Sequence, residues 1–388
     1  MDYNGAMDER RERRWLFLSA LLMALAASAP LWGAGMVETR GGGDSPFLLW
    51  RMVEMAEALR HGLFPVRWMA DAAFGLGYPF FNYYAALPYY LGGGLMLLGV
   101  PVLVAIQAVQ TLGFLLAALG FALWARRHFA SSWAVAVATA AYTFAPFHLV
   151  NVYVRGDSLS EFFAFVWYPL ILWALDRLAE RPSARRAALA GLTYAALVLT
   201  HNVSALIFTP FALGYALLLV LASREGRGRR ARWLALPFLL GLLLSAWFWL
   251  PALGEVDYGQ LGEAFTAGYF HYDRHFRAWD LVQRGLAFDY AVAASAAEAG
   301  PFAMGAVQAL MALFGAVALL WRRRGTGWWR LFLLGGGALA TVMITPLSAP
   351  LWARIGLLAK TQFPWRFLSV QALFTAALAG ALVEGGAR

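Results

Sequence analysis

The sequence predicts an all-α integral membrane protein with about ten transmembrane helices, and three observations carry that prediction. Hydrophobic residues fill 61% of the 388 positions and charged residues only 14%, against roughly 25% charged in a water-soluble domain. Apolar runs near the roughly 20 residues that a bilayer-crossing helix needs recur along the chain. The arginines sit in short clusters between those runs, on every second connection.

The first apolar run, about 15–36, follows a basic start at Arg10–Arg14. Ala27-Ser28-Ala29 loosely fits a signal-cleavage pattern, but Pro30 would follow the cut and the run continues to Met36. It reads as an uncleaved first span. The others fall at about 102–125, 131–150, 161–178, 186–201, 203–222, 233–252, 301–321, 329–346 and 366–383. The Arg-rich breaks are Arg10–Arg14, Arg126–Arg127, Arg177–Arg186, Arg224–Arg232 and Arg322–Arg330. Placed in the cytoplasm they hold 19 arginines and Arg388 adds one, leaving 11 basic but 14 of the 22 acidic residues on the other face. That is the positive-inside bias of a multi-pass plasma-membrane protein with a cytoplasmic N-terminus.

Residues 84–100 are apolar but interrupted by Pro88 and by Gly92, Gly93 and Gly94. Counting them as a span would move four Arg-rich loops outside, so they read as an interfacial or re-entrant segment. The outer loops then cover about 37–101, 253–300 and 347–365, within one multi-span domain, 1–388. In the first loop, Asp44-Ser45-Pro46 is a helix-start signal. After it, Arg51, Glu54, Glu57 and Arg60 alternate at helical spacing with Phe47, Leu48, Met52, Ala56 and Leu59, as in a helix lying on the membrane surface. Trp68, Tyr78, Phe80, Phe81, Tyr83 and Tyr84 form the aromatic belt expected at headgroup depth.

The chain has no cysteine, which excludes disulfides and thiolate metal sites. Its net charge of +9 lies in short loops between apolar runs, where it serves topology and anionic-lipid contact. With no phosphate loop or RNA-binding motif, no nucleic-acid partner is expected.

The polar residues able to do chemistry fall on the extracytoplasmic face. Asp44 stands at the outer edge of span 1, where it can act as a general base or cap a helix. Residues 152–163 read VYVRGDSLSEFF. Arg155 can bind phosphate through its planar fork. Asp157 and Glu161, four apart, can serve as acid, base or metal ligand, although Ser158 and Glu161 also fit a capping box. His201-Asn202 turns a hairpin at the same face, where His201 can touch a headgroup or phosphate and Asn202 fits the turn. Arg366 in QFPWRF can clamp a lipid phosphate or act as a snorkelling anchor. His271 and His275 are four apart, a metal-capable spacing on a helix, but without an accompanying Glu they read as a solvated loop.

Several stretches together resemble a known group: GDSPFLLWRMVEMAEALRHGLFPVRW, YPFFNYYAALPYYLGG, YTFAPFHLVNVYVRGDSLSEFFAFVWYPLILWAL, LTHNVSALIF and QFPWRFL. They resemble membrane proteins that carry the 6-pyruvoyl-tetrahydropterin synthase-related domain, whose layout is similar to that of GT-C glycosyltransferases. The resemblance implies a GT-C-like bundle with interfacial helices in the first outer loop. It implies inverting transfer of a sugar from a polyprenyl-phosphate donor to a cell-envelope glycan, lipid or protein. Asp44 would take the catalytic-base position, and Arg155 and Arg366 would hold the lipid phosphate. Asp44 lacks the adjacent second acid of several GT-C families, which counts against a metal; a divalent cation, Mg or Mn, is nonetheless a candidate cofactor, with no metal ligands assigned. The chain ends at Arg388 just after the tenth span, as expected of a short member or a piece of a longer protein. Two other readings stand beside transfer: a lipid-linked saccharide transporter or flippase, and a non-catalytic envelope-assembly protein. The apolar span centres carry little of the charge that transport uses.

Overall fold

The computed structural model describes residues 3–36, 45–156, 158–259, 266–292, 300–321 and 327–384. Asp44 and Asp157 lie outside them. The chain folds as α1 (Tyr3–Ser28), α2 (Ser45–Arg60), α3 (Leu87–Leu97), α4 (Val102–Ala125), α5 (Ser132–Thr143), α6 (Pro146–Tyr153) and α7 (Leu159–Glu180). It continues through α8 (Ala184–Thr200), α9 (Asn202–Leu221), α10 (Arg227–Leu244), α11 (Ala246–Gly254), α12 (Ala306–Trp321), α13 (Gly327–Ile344) and α14 (Leu368–Val383), with short helical turns between. No strand forms among the described residues.

Helices stand at all ten expected span positions, but fewer of them reach across a bilayer unaided. Seven segments are long and apolar enough to cross, and the pair α10–α11, bent by 64°, raises that to eight. The two that fall short are α8, 17 residues opening on Arg185 and Arg186, and α12, 16 residues starting only at Ala306. Pro146 splits the expected third span into α5 and α6, because its ring cannot continue a helix. Residues 87–97 form an 11-residue helix, about 16 Å at 1.5 Å per residue, half a hydrocarbon core. That helix is short for a bilayer crossing, and it runs through the three glycines unbroken.

Those glycines have a partner that the periodicity did not disclose. α2 packs on α3, and a Cβ at Gly92 would come within 2.3 Å of Met52 Sδ, while one at Gly93 would reach Met55 at 3.0 Å. Glu54, expected on a charged outer face, is buried instead. It accepts the Trp50 indole N–H at 3.0 Å and the Asp71 backbone N–H at 3.2 Å. A buried carboxylate is tolerable when donors meet it, so this part of α2 faces protein rather than water.

The centre of the bundle is α14. Within the span Pro364–Val383, 89% of the apolar window is buried, and 78% in the span of α7. α12 lies so close to α14 that a Cβ at Gly315 would sit 2.0 Å from the Leu378 carbonyl oxygen. Close backbone approach of this kind is how small residues hold membrane helices together. Gly315→Ala is therefore expected to cost about 1–3 kcal/mol, the usual range for overpacking, read as a lower thermal-unfolding midpoint in detergent. An unchanged midpoint would mean that α12 is free to slide.

At one end of the bundle Glu12 accepts hydrogen bonds from the Ser132 hydroxyl (2.6 Å) and the Arg126 guanidinium (2.8 Å). These partners, Ser132 first, hold its carboxyl below the usual carboxylate range. At the same end Asp176 takes the Tyr215 hydroxyl at 2.6 Å and meets His128 at 3.1 Å, with His128 stacked on Trp329. These contacts tie the ends of α1, α4, α7, α9 and α13. The other end is free for a different set of polar residues.

Candidate functional site

The chain between α6 and α7 makes a sharp turn. The Arg155 N–H closes back on the Val150 carbonyl at 2.9 Å, and Gly156 takes φ = +66°, a backbone shape that glycine reaches without strain. The turn aims Arg155 at the first turn of α7, where its Nη1 donates to Glu161 Oε2 at 2.6 Å and to the Asn151 side-chain oxygen. From the entry to α14, Arg366 brings its Nε to within 3.5 Å of the same carboxylate oxygen. Its Nη1 donates to the Thr361 carbonyl at 2.8 Å. Glu161 is 2% exposed. Two arginines separated by more than 200 positions thus meet over one buried carboxylate.

Glu161 corrects one expectation. Ser158 precedes α7, but its side chain makes no cap hydrogen bond. The carboxylate turns to the two guanidinium groups, because two opposite charges in a water-poor site outweigh a single backbone N–H.

Aromatic rings wall the cluster. Arg155 lies over the Trp365 ring, 5.2 Å from its centroid, and Arg366 lies 5.0 Å from that of Phe363. Trp365 stacks on Phe302 at 4.1 Å and on Phe363 at 4.7 Å. His201 joins from the α8–α9 hairpin, within electrostatic reach of Glu161 and both arginines. Its Nδ1 accepts the Ser204 backbone N–H at 3.2 Å, which leaves the ring proton of the neutral tautomer on Nε2. Against the one carboxylate, the two guanidiniums keep one positive charge in excess. Such a site suits an anion with several oxygens, of which a phosphate is the simplest.

The structure brings Arg155, Glu161, His201 and Arg366 together. Asn202 stands one residue away but is used differently: its side-chain amide donates to the Tyr83 carbonyl at 3.3 Å and ties the hairpin to the first outer loop. Asp44 and Asp157 each adjoin a residue that lines one cleft, Ser45 and Gly156, which Gln107 and Gln110 also line. Reading the sequence missed Asn151 and Ser204, which orient Arg155 and His201. Their signal was the spacing, four residues for Asn151–Arg155 and three for His201–Ser204, close enough to meet at the end of a helix. It also missed the tie of Glu255 to the first loop, through the Asn82 amide at 2.9 Å and the Tyr83 hydroxyl on its carbonyl at 2.6 Å.

The two loop histidines each have a protein partner. His271 Nδ1 meets Asp273 at 2.5 Å, and His275 Nε2 donates to the Tyr269 carbonyl at 2.5 Å. Contrary to the solvated loop expected, His275 is 2% exposed, and burial lowers its imidazole pKa. Among the described residues no three His, Asp or Glu side chains gather as metal ligands.

A family model described as "6-pyruvoyl-tetrahydropterin synthase related domain; membrane protein" matches residues 81–387. The fold is similar to that of the archaeal oligosaccharyltransferase AglB from Archaeoglobus fulgidus in complex with an inhibitory peptide and a dolichol-phosphate. The TM-score is 0.52 at 16% identity, covering 94% of this chain and 50% of that one. It is also similar to the Archaeoglobus fulgidus oligosaccharyltransferase in complex with Zn and sulfate, at a TM-score of 0.54, 18% identity, and 94% and 48% coverage. A third, the same oligosaccharyltransferase tethered to an acceptor peptide containing the NVT sequon, gives 0.52, 15% identity, and 93% and 49% coverage. The chain spans about half the length of these structures. No curated protein sequence matches it.

Proposed function

Because the chain belongs to the 6-pyruvoyl-tetrahydropterin synthase-related family of membrane proteins, with the fold of a GT-C oligosaccharyltransferase, we propose that it is a membrane glycosyltransferase. It transfers a sugar from a polyprenyl-phosphate donor to a glycan, lipid or protein of the cell envelope. The observation that carries this reading is the buried Arg155–Glu161–Arg366 cluster with its one excess positive charge and aromatic walls. It would hold the donor phosphate, with the His201 Nε2–H as a further donor and Asn202 fixing the hairpin that carries it. The site faces the extracytoplasmic side, with the N-terminus in the cytoplasm, as the arginine distribution indicates.

In the reaction the acceptor hydroxyl oxygen bonds to the anomeric carbon from the side opposite the phosphate. The carbon–oxygen bond to the phosphate breaks and its electron pair leaves with the phosphate. Asp44 takes the hydroxyl proton. The arginines offset the negative charge growing on the departing phosphate, an electrostatic contribution that usually dominates. That phosphate needs little protonation, so one carboxylate suffices where glycosidases use two. Asp157, two residues after Arg155 in the chain, is kept as a second candidate for contact with the substrate. Mg or Mn remains a candidate cofactor with no assigned ligands among the described residues.

The test is transfer of radiolabel from polyprenyl-phosphate sugars into an envelope extract by purified protein in detergent. Wild type is expected to move label to an acceptor. Arg155→Gln, which removes one charge-assisted hydrogen bond, is expected to need about tenfold more donor for half-maximal rate. Donor bound tightly but never transferred, across all acceptors, would sink this reading and favour a lipid-linked saccharide transporter.

A further inference from the structure

Three polar residues of α4, Gln107, Gln110 and Thr111, lie where it passes the end of α1 and the turn that follows. Two of them serve the fold. Gln107 Nε2 donates to the Leu31 carbonyl at 2.8 Å, and the Thr111 hydroxyl accepts the Trp32 indole N–H at 3.0 Å. Gln110 has no such use. It is 6% exposed, and among the described residues nothing hydrogen-bonds to its amide. It lies about 12 Å from the start of α4, inside a segment long and apolar enough to cross a bilayer. A buried amide without a partner is costly, and more so where no water is at hand.

Gln110 lines a narrow cleft between α2, α4 and the α6–α7 turn, with Gln107, Leu48 and Gly156. The cleft has room for about one water, 20 Å³. Among the described residues no charged side chain lines it. These features select the guest. A carboxamide both donates and accepts, so a hydroxyl satisfies both of its ends, whereas an anion or a cation would satisfy one. The space admits a hydroxyl or hydroxymethyl group and not a whole sugar ring. Water shares this chemistry, but the position favours a substrate. Arg155 leads from the α6–α7 turn into the phosphate cluster, and the next residue, Gly156, lines the cleft. A phosphate held by Arg155 thus puts whatever it carries beside that turn.

We propose that Gln110 binds one hydroxyl of the transferred sugar, with the Gln107 side-chain oxygen as a second acceptor, and so takes part in choosing that sugar. This rests on the reading of the arginine cluster as the donor-phosphate site.

The test is equilibrium binding of the purified full chain in detergent to radiolabelled polyprenyl phosphate and to polyprenyl-phosphate glucose, galactose and mannose. Wild type is expected to bind at least one hexose-bearing lipid more tightly than the bare phosphate. Gln110→Leu, close in size, is expected to lose about tenfold on that lipid, as for one hydrogen bond to a neutral group, and nothing on the bare phosphate. Among monodeoxy analogues of that hexose, one should lose the same tenfold on wild type and nothing further on Gln110→Leu, the non-additivity of two groups in contact. No hexose preference in wild type, or Gln110→Leu binding every lipid as wild type does, would leave the amide with water alone and overturn the proposal. An equal loss on the bare phosphate would overturn it too, as a sign of a damaged fold. The donor-phosphate reading fails separately, if Arg155→Gln binds bare polyprenyl phosphate as tightly as wild type.

Discussion

Glu161→Ala is expected to lower stability by about 3–5 kcal/mol, the cost of removing one partner from a buried ion pair. Three facts support the upper part of that range. The Glu161 side chain is 3% exposed, so water cannot replace it, and the Arg155 and Arg366 side chains are only 18% and 11% exposed. Both guanidiniums would therefore face each other with no counter-charge between them. The loss should appear as a lower unfolding midpoint in detergent, and Glu161→Gln, which keeps a hydrogen-bond acceptor, should lose less. Glu161→Ala combined with Arg155→Met removes the exposed repulsion and should recover part of the loss, so the two changes are not additive. A single substitution costing under about 1 kcal/mol, the range of surface ion pairs, would mean that water already enters the cluster.

The long apolar spans were legible in the sequence because a membrane helix is written in consecutive residues. Segment 84–100 was read as interfacial from its three glycines and the parity of loop charge, and its helix of 11 residues is short for a span. The meeting of Arg155, Glu161, His201 and Arg366 was legible only as a shared face. Their contacts join chain positions too far apart for periodicity to report. Where a local signal competed with such a contact, it misled. Ser158 and Glu161 have the spacing of a capping box, yet the carboxylate is taken by two distant arginines. Glu54 fits a charged helical face, yet it is buried on the Asp71 backbone. The expected bounds 186–201 nearly coincide with α8, whereas 301–321 was drawn too long, because hydropathy does not see that α12 begins only at Ala306.

Asp44→Asn is expected to reduce sugar transfer by about 10²–10⁴-fold, the contribution of a positioned general base, while leaving donor affinity and stability near wild type. The substitution is chosen because it separates the two uses of an aspartate before a helix. Asn caps a helix N-terminus about as well as Asp, so if Asp44 serves only the start of α2, neither transfer nor the unfolding midpoint should change. Asn cannot accept the acceptor's proton at neutral pH, so if Asp44 is the base, turnover alone collapses. On the proposed reading donor affinity rests on Arg155, Arg366 and His201, and it should therefore hold. The comparison with Glu161→Ala makes the division sharper. That change is expected to act mainly on stability and Asp44→Asn on the chemical step. Full transfer by Asp44→Asn would remove Asp44 from the mechanism, and Asp157, the other aspartate singled out in the sequence on this face, would be the next candidate base, which the corresponding Asp157→Asn variant would test.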